Sequence, residues 1–378
     1  MKRTSVTACL LGILTTGALA QQAPPLIPIH DQSAVGARGF FYVGGEYTGV
    51  PGNEIMSGQM YVEVVVPKVQ RKPYPLVLIH GAGQTATNWM GTPDGRKGWT
   101  DYFVEQGYVV YMVDQPMRGR SAQHPGDGPT RMYTAQDMER QFTAIAMKGT
   151  WPQATKHTQW PGSAPWKGLK GDRIFDAFYA TQVETISSNA ETQRRNQIAG
   201  AALLDRIGPA VILTHSQAGP FGWLIGDVRP SLVKGIVAVE PSGPPFENAV
   251  IAFDKARSWG PSDIPIGYAP AVAKPEELQL EREAAEGPGL FACWMQKAPA
   301  RQLVNLKAIP VMVIAAEASY HQVYDHCTAK FLVQAGVPVD YLRLQDRGIY
   351  GNGHLMMVET NNLEIARVID EWVAATVM

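Results

Sequence analysis

Residues able to do chemistry gather in a few short stretches, the first being Val211-Ile212-Leu213-Thr214-His215-Ser216-Gln217-Ala218-Gly219. An apolar run stops at a serine between small residues, and a helix is expected from Gln217. This is the outline of a nucleophile elbow, a sharp strand-to-helix turn that lifts a serine hydroxyl above a sheet. The turn demands little bulk two residues to either side of the serine. Ala218 suits it and Thr214 suits it less well, so the match to G-x-S-x-G is degenerate. A serine nucleophile needs a general base on an open loop near the strand ends. His354, in Gly351-Asn352-Gly353-His354, has the glycines for such a loop. The base needs an acid that holds its tautomer and stabilises the imidazolium. Glu240 closes the apolar run Gly235-Ile236-Val237-Ala238-Val239 and is followed by Pro241-Ser242-Gly243. A glutamate there is costly to bury without a partner. Glu317 and Asp325 are its rivals, because they follow the next strand. His80-Gly81-Ala82-Gly83, after another apolar run, can aim the Ala82 N–H at a developing oxyanion, with the Gln217 N–H as its partner. His80 is expected to shape that turn, and His215 to pack behind the elbow.

The elements that must position these residues alternate along the chain. Strands are expected at Gly39 to Tyr47, Gln59 to Pro67, Pro75 to His80, Tyr108 to Asp114, the elbow run, Val233 to Glu240, Pro310 to Ala316 and Val339 to Leu344. Helices are expected at Trp99 to Gln106, Ala190 to Ile207, from Gln217, Gln322 to Ala335 and Thr360 to Thr376. The alternation predicts an α/β fold with a mostly parallel central sheet flanked by helices on both faces. Residues 121–189 and 242–305 break the pattern with long stretches rich in Pro, Gly and Trp. Both follow strand ends, where ligands sit in open α/β sheets, and both are expected to form a lid or binding loops. Individually, Trp151, Trp160 and Trp166 read as packing anchors. As a region, they suggest an aromatic wall for an apolar substrate.

The first twenty residues read as a secretory leader: Lys2 and Arg3, an apolar stretch from Val6 to Leu14, and Ala18-Leu19-Ala20 before Gln21. The apolar stretch is too short for a comfortable membrane span, so no stable membrane anchor is expected. Residues 21–28 are Pro-rich and should be an extended lead-in. A chain of about 358 residues remains, and losing Lys2 and Arg3 takes the net charge from −1 to −3. That balance offers no basic footprint for nucleic acid. Cys293 and Cys327 could pair in an oxidising compartment, extracellular or periplasmic, but do not make a disulfide framework. Metal chemistry is not expected, since His321 and His326 are five apart, off the i, i+4 register. With Asp325 and Cys327 they form a polar cluster suited to lining a helix. No dinucleotide fingerprint or Walker loop supports a cofactor.

One more stretch, Asp114-Gln115-Pro116-Met117-Arg118-Gly119-Arg120-Ser121, completes a pattern that resembles the α/β-hydrolase superfamily. The resemblance is to its secreted esterases whose triad acid is a glutamate after the sixth strand. It rests on His80-Gly81 with Trp89, Asp94-Gly95-Arg96 with Gly98-Trp99, Arg118-Gly119-Arg120, Thr214-His215-Ser216-Gln217, Glu240-Pro241, and Gly353-His354 with Asn361-Asn362. It spans the chain from about Phe40 to the C-terminus. The resemblance implies Ser216 as nucleophile, His354 as base and Glu240 as acid. Ala82 and Gln217 would supply the oxyanion N–H groups. The departure is the lack of glycine two residues either side of Ser216. A single domain, 21–378, is expected, acting as a secreted serine esterase on a small-molecule ester with an apolar or aromatic part. The same fold and triad would also serve a lactonase, an acyltransferase or a non-hydrolytic biosynthetic enzyme, or persist in a binding protein without turnover. A homodimer is compatible with the sequence, which leaves the oligomeric state open.

Overall fold

The computed structural model describes residues 28–377 apart from 125, 164 and 166. The leader expected at 1–20, most of the lead-in at 21–28, and Trp166 lie outside the described residues. The main sheet has eight strands: β1 (Val35–Thr48), β2 (Ile55–Pro67), β3 (Leu76–Ile79), β4 (Val110–Asp114), β5 (Ala210–His215), β6 (Val233–Val239), β7 (Val311–Ala315) and β8 (Val339–Arg343). Their order is β1-β2-β4-β3-β5-β6-β7-β8. The first two strands pair antiparallel, and β2 is antiparallel to β4. Every pairing from β4 across to β8 is parallel. Every residue of β3, β5 and β7 is buried, which explains their unbroken apolar runs: a parallel strand covered on both faces has no solvent side to mark with polar residues.

Side chains alternate between two cores. Ile212 and Ile236 join one, with Leu203, Leu204, Phe221, Leu224 and Phe331, while Leu213 and Val237 join the other, with Trp99, Phe103, Ile365 and Ile369. Helices α1 (Trp99–Glu105) and α5 (Asn362–Thr376) cover the second face, and α2 (Asn189–Ile207), α3 (Gly219–Val228) and α4 (Asp325–Gln334) cover the first. Ser188 caps α2 by accepting the Glu191 N–H at 3.2 Å, and Gly208, at φ 81°, ends it. A helix expected from Gln322 instead starts at Asp325, after a separate 3-10 turn at Tyr320–Val323. The Ser319 hydroxyl opens that turn by accepting the His321 N–H at 3.2 Å.

The two long segments carry their own small elements. In the first, Thr130–Arg131 pairs with Thr185–Ile186, and short helices run at Ala135–Met138, Ile145–Lys148 and Arg173–Tyr179. In the second, Leu280–Arg282 pairs with Trp294–Gln296. A Cys293–Cys327 disulfide, spanning 34 positions, ties this second segment to α4. Closing a loop of that size stabilises a fold by about 3–4 kcal/mol. Among the described residues, no helix is long and apolar enough to cross a membrane.

Candidate active site

Ser216 stands at the end of β5 with φ 55°, left-handed backbone that few residues other than glycine adopt. Ser216–Ala218 forms one 3-10 turn before α3 begins. The elbow manages without the usual flanking glycines because the tight approaches fall elsewhere. A Cβ on Gly219 would lie 2.3 Å from the Pro241 Cβ, and one on Gly81 would lie 2.9 Å from His215 Nδ1 and 3.1 Å from the Ser216 Cβ. Glycine is therefore needed where the elbow meets its neighbouring loops. One of those loops is bound directly, as the Ser242 N–H donates to the Ser216 carbonyl at 2.9 Å.

Glu240 follows β6 and also has left-handed backbone, φ 45°. Its carboxylate Oε2 lies 2.6 Å from His354 Nδ1 and accepts the Ser319 hydroxyl at 2.7 Å. Oε1 accepts the Ala316 N–H at 2.7 Å. Burial pushes Glu240 up to about 7, opposed by the neighbouring His321 and by the Ser319 and Ala316 donors. Burial, with His321 adding to it, holds the His354 imidazole well below its ordinary range. The two rival acids are engaged elsewhere. Glu317 pairs with Lys156 at 2.8 Å and accepts the Gly351 N–H at 3.1 Å, whereas Asp325 lies 2.9 Å from His321 Nδ1.

Ala82, Ser216 and Gln217 line one cavity of about 220 Å³, while Ala82, Ser216 and His354 line a second of about 30 Å³. The turn holding Ala82 is braced from behind. The Arg118 guanidinium, 4 % exposed, donates to the Gly81 carbonyl at 2.9 Å and to Gln217 Oε1 at 3.1 Å. That carbonyl and the Ala82 N–H belong to one planar trans peptide and point in opposite directions, so the guanidinium orients and polarises the N–H. His80 Nε2 accepts the Gln115 N–H at 3.2 Å, which leaves Nδ1 to donate to the same carbonyl at 2.9 Å. Burial, with Arg118 nearby, pulls His80 down to about 3, so it is neutral in this role. Such an arrangement can activate a hydroxyl and hold an oxyanion above the sheet.

Over 336 residues, 88 % of each chain, the sequence is 48 % identical to the probable secreted lipase phiG of Fungal sp. (strain ATCC 74256). The chain belongs to the α/β-hydrolase superfamily. A novel bacterial esterase solved at atomic resolution superposes on 94 % of this chain and 100 % of its own with a TM-score of 0.58. At 23 % identity, that likeness concerns the fold. No family model matches.

Several residues of this hydrolase site were not expected from the sequence. The His321 ring stacks on His354 with centroids 4.7 Å apart and planes 6° apart. His321 also contacts the Tyr324 hydroxyl through Nε2 at 3.2 Å. The i, i+4 spacing of His321 and Asp325 was the available signal, whereas attention fell on His321 and His326. A second surprise is the brace behind the base loop. Glu359 accepts the Gly353 N–H at 3.0 Å and the Asn352 side chain at 2.7 Å, and lies 2.6 Å from His157 Nε2. Nothing in the sequence links His157 to residues two hundred positions away. The Arg96 side chain binds Asp94, Asn362 Oδ1 and the carbonyls of Val358, Glu359 and Thr360, so Asp94-Gly95-Arg96 and Asn361-Asn362 are the two halves of one clamp. His215, expected behind the elbow, lines the smaller cavity, its ring 4.5 Å from that of His354.

The aromatic wall differs from the expectation. Trp151 donates to the Ala318 carbonyl and packs on Tyr320, and Trp160 packs on Phe178, so both are anchors and neither lines the two cavities. The rings there are Tyr133, Phe142, Phe178, Tyr320 and Tyr324. Ligand atoms of Glu240, His321 and His354 lie within 4.8 Å of one another, as do those of Cys293, His326 and Cys327. The first set is committed to the hydrogen bonds just described, and the second contains the disulfide.

Proposed function

We propose that the chain is a secreted serine esterase that hydrolyses carboxylic esters through an acyl-enzyme. The observation that carries this reading is the 2.6 Å contact between Glu240 and His354 beside the cavities that Ser216 lines. The printed name of the fungal relative, a probable secreted lipase, supports ester hydrolysis and secretion.

In this mechanism His354 Nε2 takes the Ser216 proton as Oγ bonds to the ester carbonyl carbon. The oxyanion is received by the N–H groups of Ala82 and Gln217, each contributing about 3–4 kcal/mol in comparable sites. Glu240 holds the Nδ1 proton and stabilises the imidazolium. Collapse of the intermediate breaks the bond to the alcohol, which leaves with the proton from His354. Water then attacks the acyl-enzyme, His354 takes its proton, and the acid departs as Ser216 recovers its hydrogen. Beyond the leader, residues 21–378 form one domain in which 121–189 and 242–305 act as the lid. Arg131, Tyr133 and Gln141 from one segment, and Asn248 and Arg257 from the other, support this by lining the larger cavity.

Ser216→Ala should abolish ester turnover, by about 10⁴–10⁶-fold, and labelling by a fluorophosphonate, with an unchanged circular dichroism spectrum. Turnover retained by this variant would overturn the mechanism. An unlabelled, inactive wild-type protein would support a binding role instead. N-terminal sequencing of the exported protein should begin near Gln21.

A further inference from the structure

The larger cavity beside Ser216 has an unbalanced electrostatic wall. Arg131 and Arg257 line it, and no aspartate or glutamate does among the described residues. Arg257 is the informative one, because its side chain is only 4 % exposed. Its guanidinium donates to neutral acceptors alone: the carbonyls of Pro244, at 2.8 Å, and Glu247, and the Asn248 side-chain oxygen at 2.9 Å. The surrounding acids are committed elsewhere. Asp263 accepts the backbone N–H of Arg257 at 2.7 Å and the Gln193 amide at 2.6 Å, Glu247 pairs with Arg282 at 3.2 Å, and Asp254 binds Asn248 at 2.9 Å. Burial pulls the guanidinium pKa down against the fields of Asp263, Asp254 and Glu247, none of which forms an ion pair with it. The tyrosine hydroxyl at 324 cannot serve as a substitute partner, since it faces His321.

The smaller cavity is different. Met138, Phe142, Phe178 and Leu355 line it together with Gln84, Gln182 and His215, and its 30 Å³ is space for a group of very few atoms. Ser216 belongs to both cavities, so an ester seated on it would place one moiety in each.

We propose that this hydrolase prefers anionic esters: the larger moiety carries a carboxylate held by Arg257, with Arg131 adding to the field, and the smaller is a one- or two-carbon group. The inference rests on the serine-esterase reading and names its substrate class. A guanidinium fork matches a carboxylate in geometry and charge, and an anion arriving with the substrate would give this buried cation the direct ion pair it lacks. The carboxylate could sit on the acid side, as in monomethyl glutarate, or on the alcohol side, as in 3-acetoxypropionate.

The test measures kcat/KM for each of these two esters against its uncharged counterpart, dimethyl glutarate or methyl 3-acetoxypropionate. At least one charged member should be favoured by about tenfold or more, and the better pair tells which side of the ester carries the anion. Raising the ionic strength should shrink the ratio. In Arg257→Gln the preference should fall to within about threefold, and Arg257→Lys should retain part of it. Equal or faster turnover of both neutral esters by the wild type would overturn the proposal without recourse to any variant. So would an Arg257→Gln variant that loses activity on charged and neutral esters by one common factor. Calorimetric titration of glutarate into Ser216→Ala examines the anion site apart from catalysis. Binding that disappears when Arg257→Gln is added supports the site even if no ester is turned over, and absence of binding counts against it even if neutral esters are hydrolysed.

Discussion

Two buried imidazole–carboxylate pairs lie side by side in this molecule, and the proposed mechanism uses only one. Glu240–His354 and Asp325–His321 have similar separations, 2.6 and 2.9 Å, and their rings stack in parallel. The carboxylates are treated differently. Glu240 receives the Ala316 N–H and the Ser319 hydroxyl as well as its histidine, whereas Asp325 Oδ2 has no hydrogen-bond partner. Burial, with Glu240 adding to it, therefore holds Asp325 well above the usual carboxylate range, and burial pulls His321 down to about 4. The second pair is thus held neutral. Its imidazole lines the larger cavity but is occupied at both nitrogens, by Asp325 and Tyr324, whereas His354 lines the smaller cavity and is bound through Nδ1. A short imidazole–carboxylate contact therefore does not define a triad. The donors behind the acid and the nitrogens already taken on the second imidazole make the difference.

The strongest way to break the contrast is Glu240→Gln. The amide keeps the shape but removes the charge that stabilises the imidazolium, so kcat should fall by about 10²–10⁴-fold. The acid limb of the kcat/KM profile should also move. In the wild type the base must be free of its second proton, and the pair takes up that proton near the value to which burial pushes Glu240, about 7. Without the carboxylate, nothing opposes the burial that disfavours a charged His354, so the limb should shift to lower pH. An unmoved limb would show that another group controls it.

Ser319→Ala sharpens the comparison with a smaller effect of opposite sign. It removes one donor that favours ionised Glu240, making that acid more like Asp325. The carboxylate pKa rises further, the limb should move to higher pH, and kcat should drop by about tenfold, the worth of one hydrogen bond to a charged group. The smallest effect is expected from Asp325→Asn, because the replaced carboxyl is already held neutral. Activity should remain within about threefold, and stability at acid pH within about 1 kcal/mol. A raised carboxyl pKa contributes stability at acid pH that is lost as pH rises through the folded value. Melting temperatures of wild type and variant should therefore lie closest at acid pH, where carboxyl and amide are both neutral, and should separate as pH rises, the variant becoming the more stable. A large fall in kcat would give the second pair a working role.

Some of this organisation was legible before any coordinates. The continuous runs Leu76–Ile79, Ala210–His215 and Val311–Ala315 predicted buried parallel strands, and their order with the helices predicted the layers. Ser216, His354 and Glu240 were singled out from local context, each at the end of an apolar run or between glycines. The shape of the substrate cavity was not legible. Trp151 and Trp160 are the packing anchors they individually suggested, but which other rings of the region would face a cavity was not written in composition. Likewise, Arg257 gave no signal, since an arginine among Lys255, Ala256 and Ser258 reads as an ordinary surface residue.

What the chain determines by itself is the chemistry available at each strand end and the alternation that brings those ends to one edge of a sheet. Period-2 burial and short connections are local properties, and they are written in local sequence. Which carboxylate meets which imidazole is different. Glu240 is favoured in one dimension but Glu317 and Asp325 remain its rivals, and the outcome depends on where the Ala316 N–H, the Ser319 hydroxyl, Lys156 and His321 stand in three. Partner choice among buried charges is set by contacts across 76 to 202 positions, which only the folded chain can assemble.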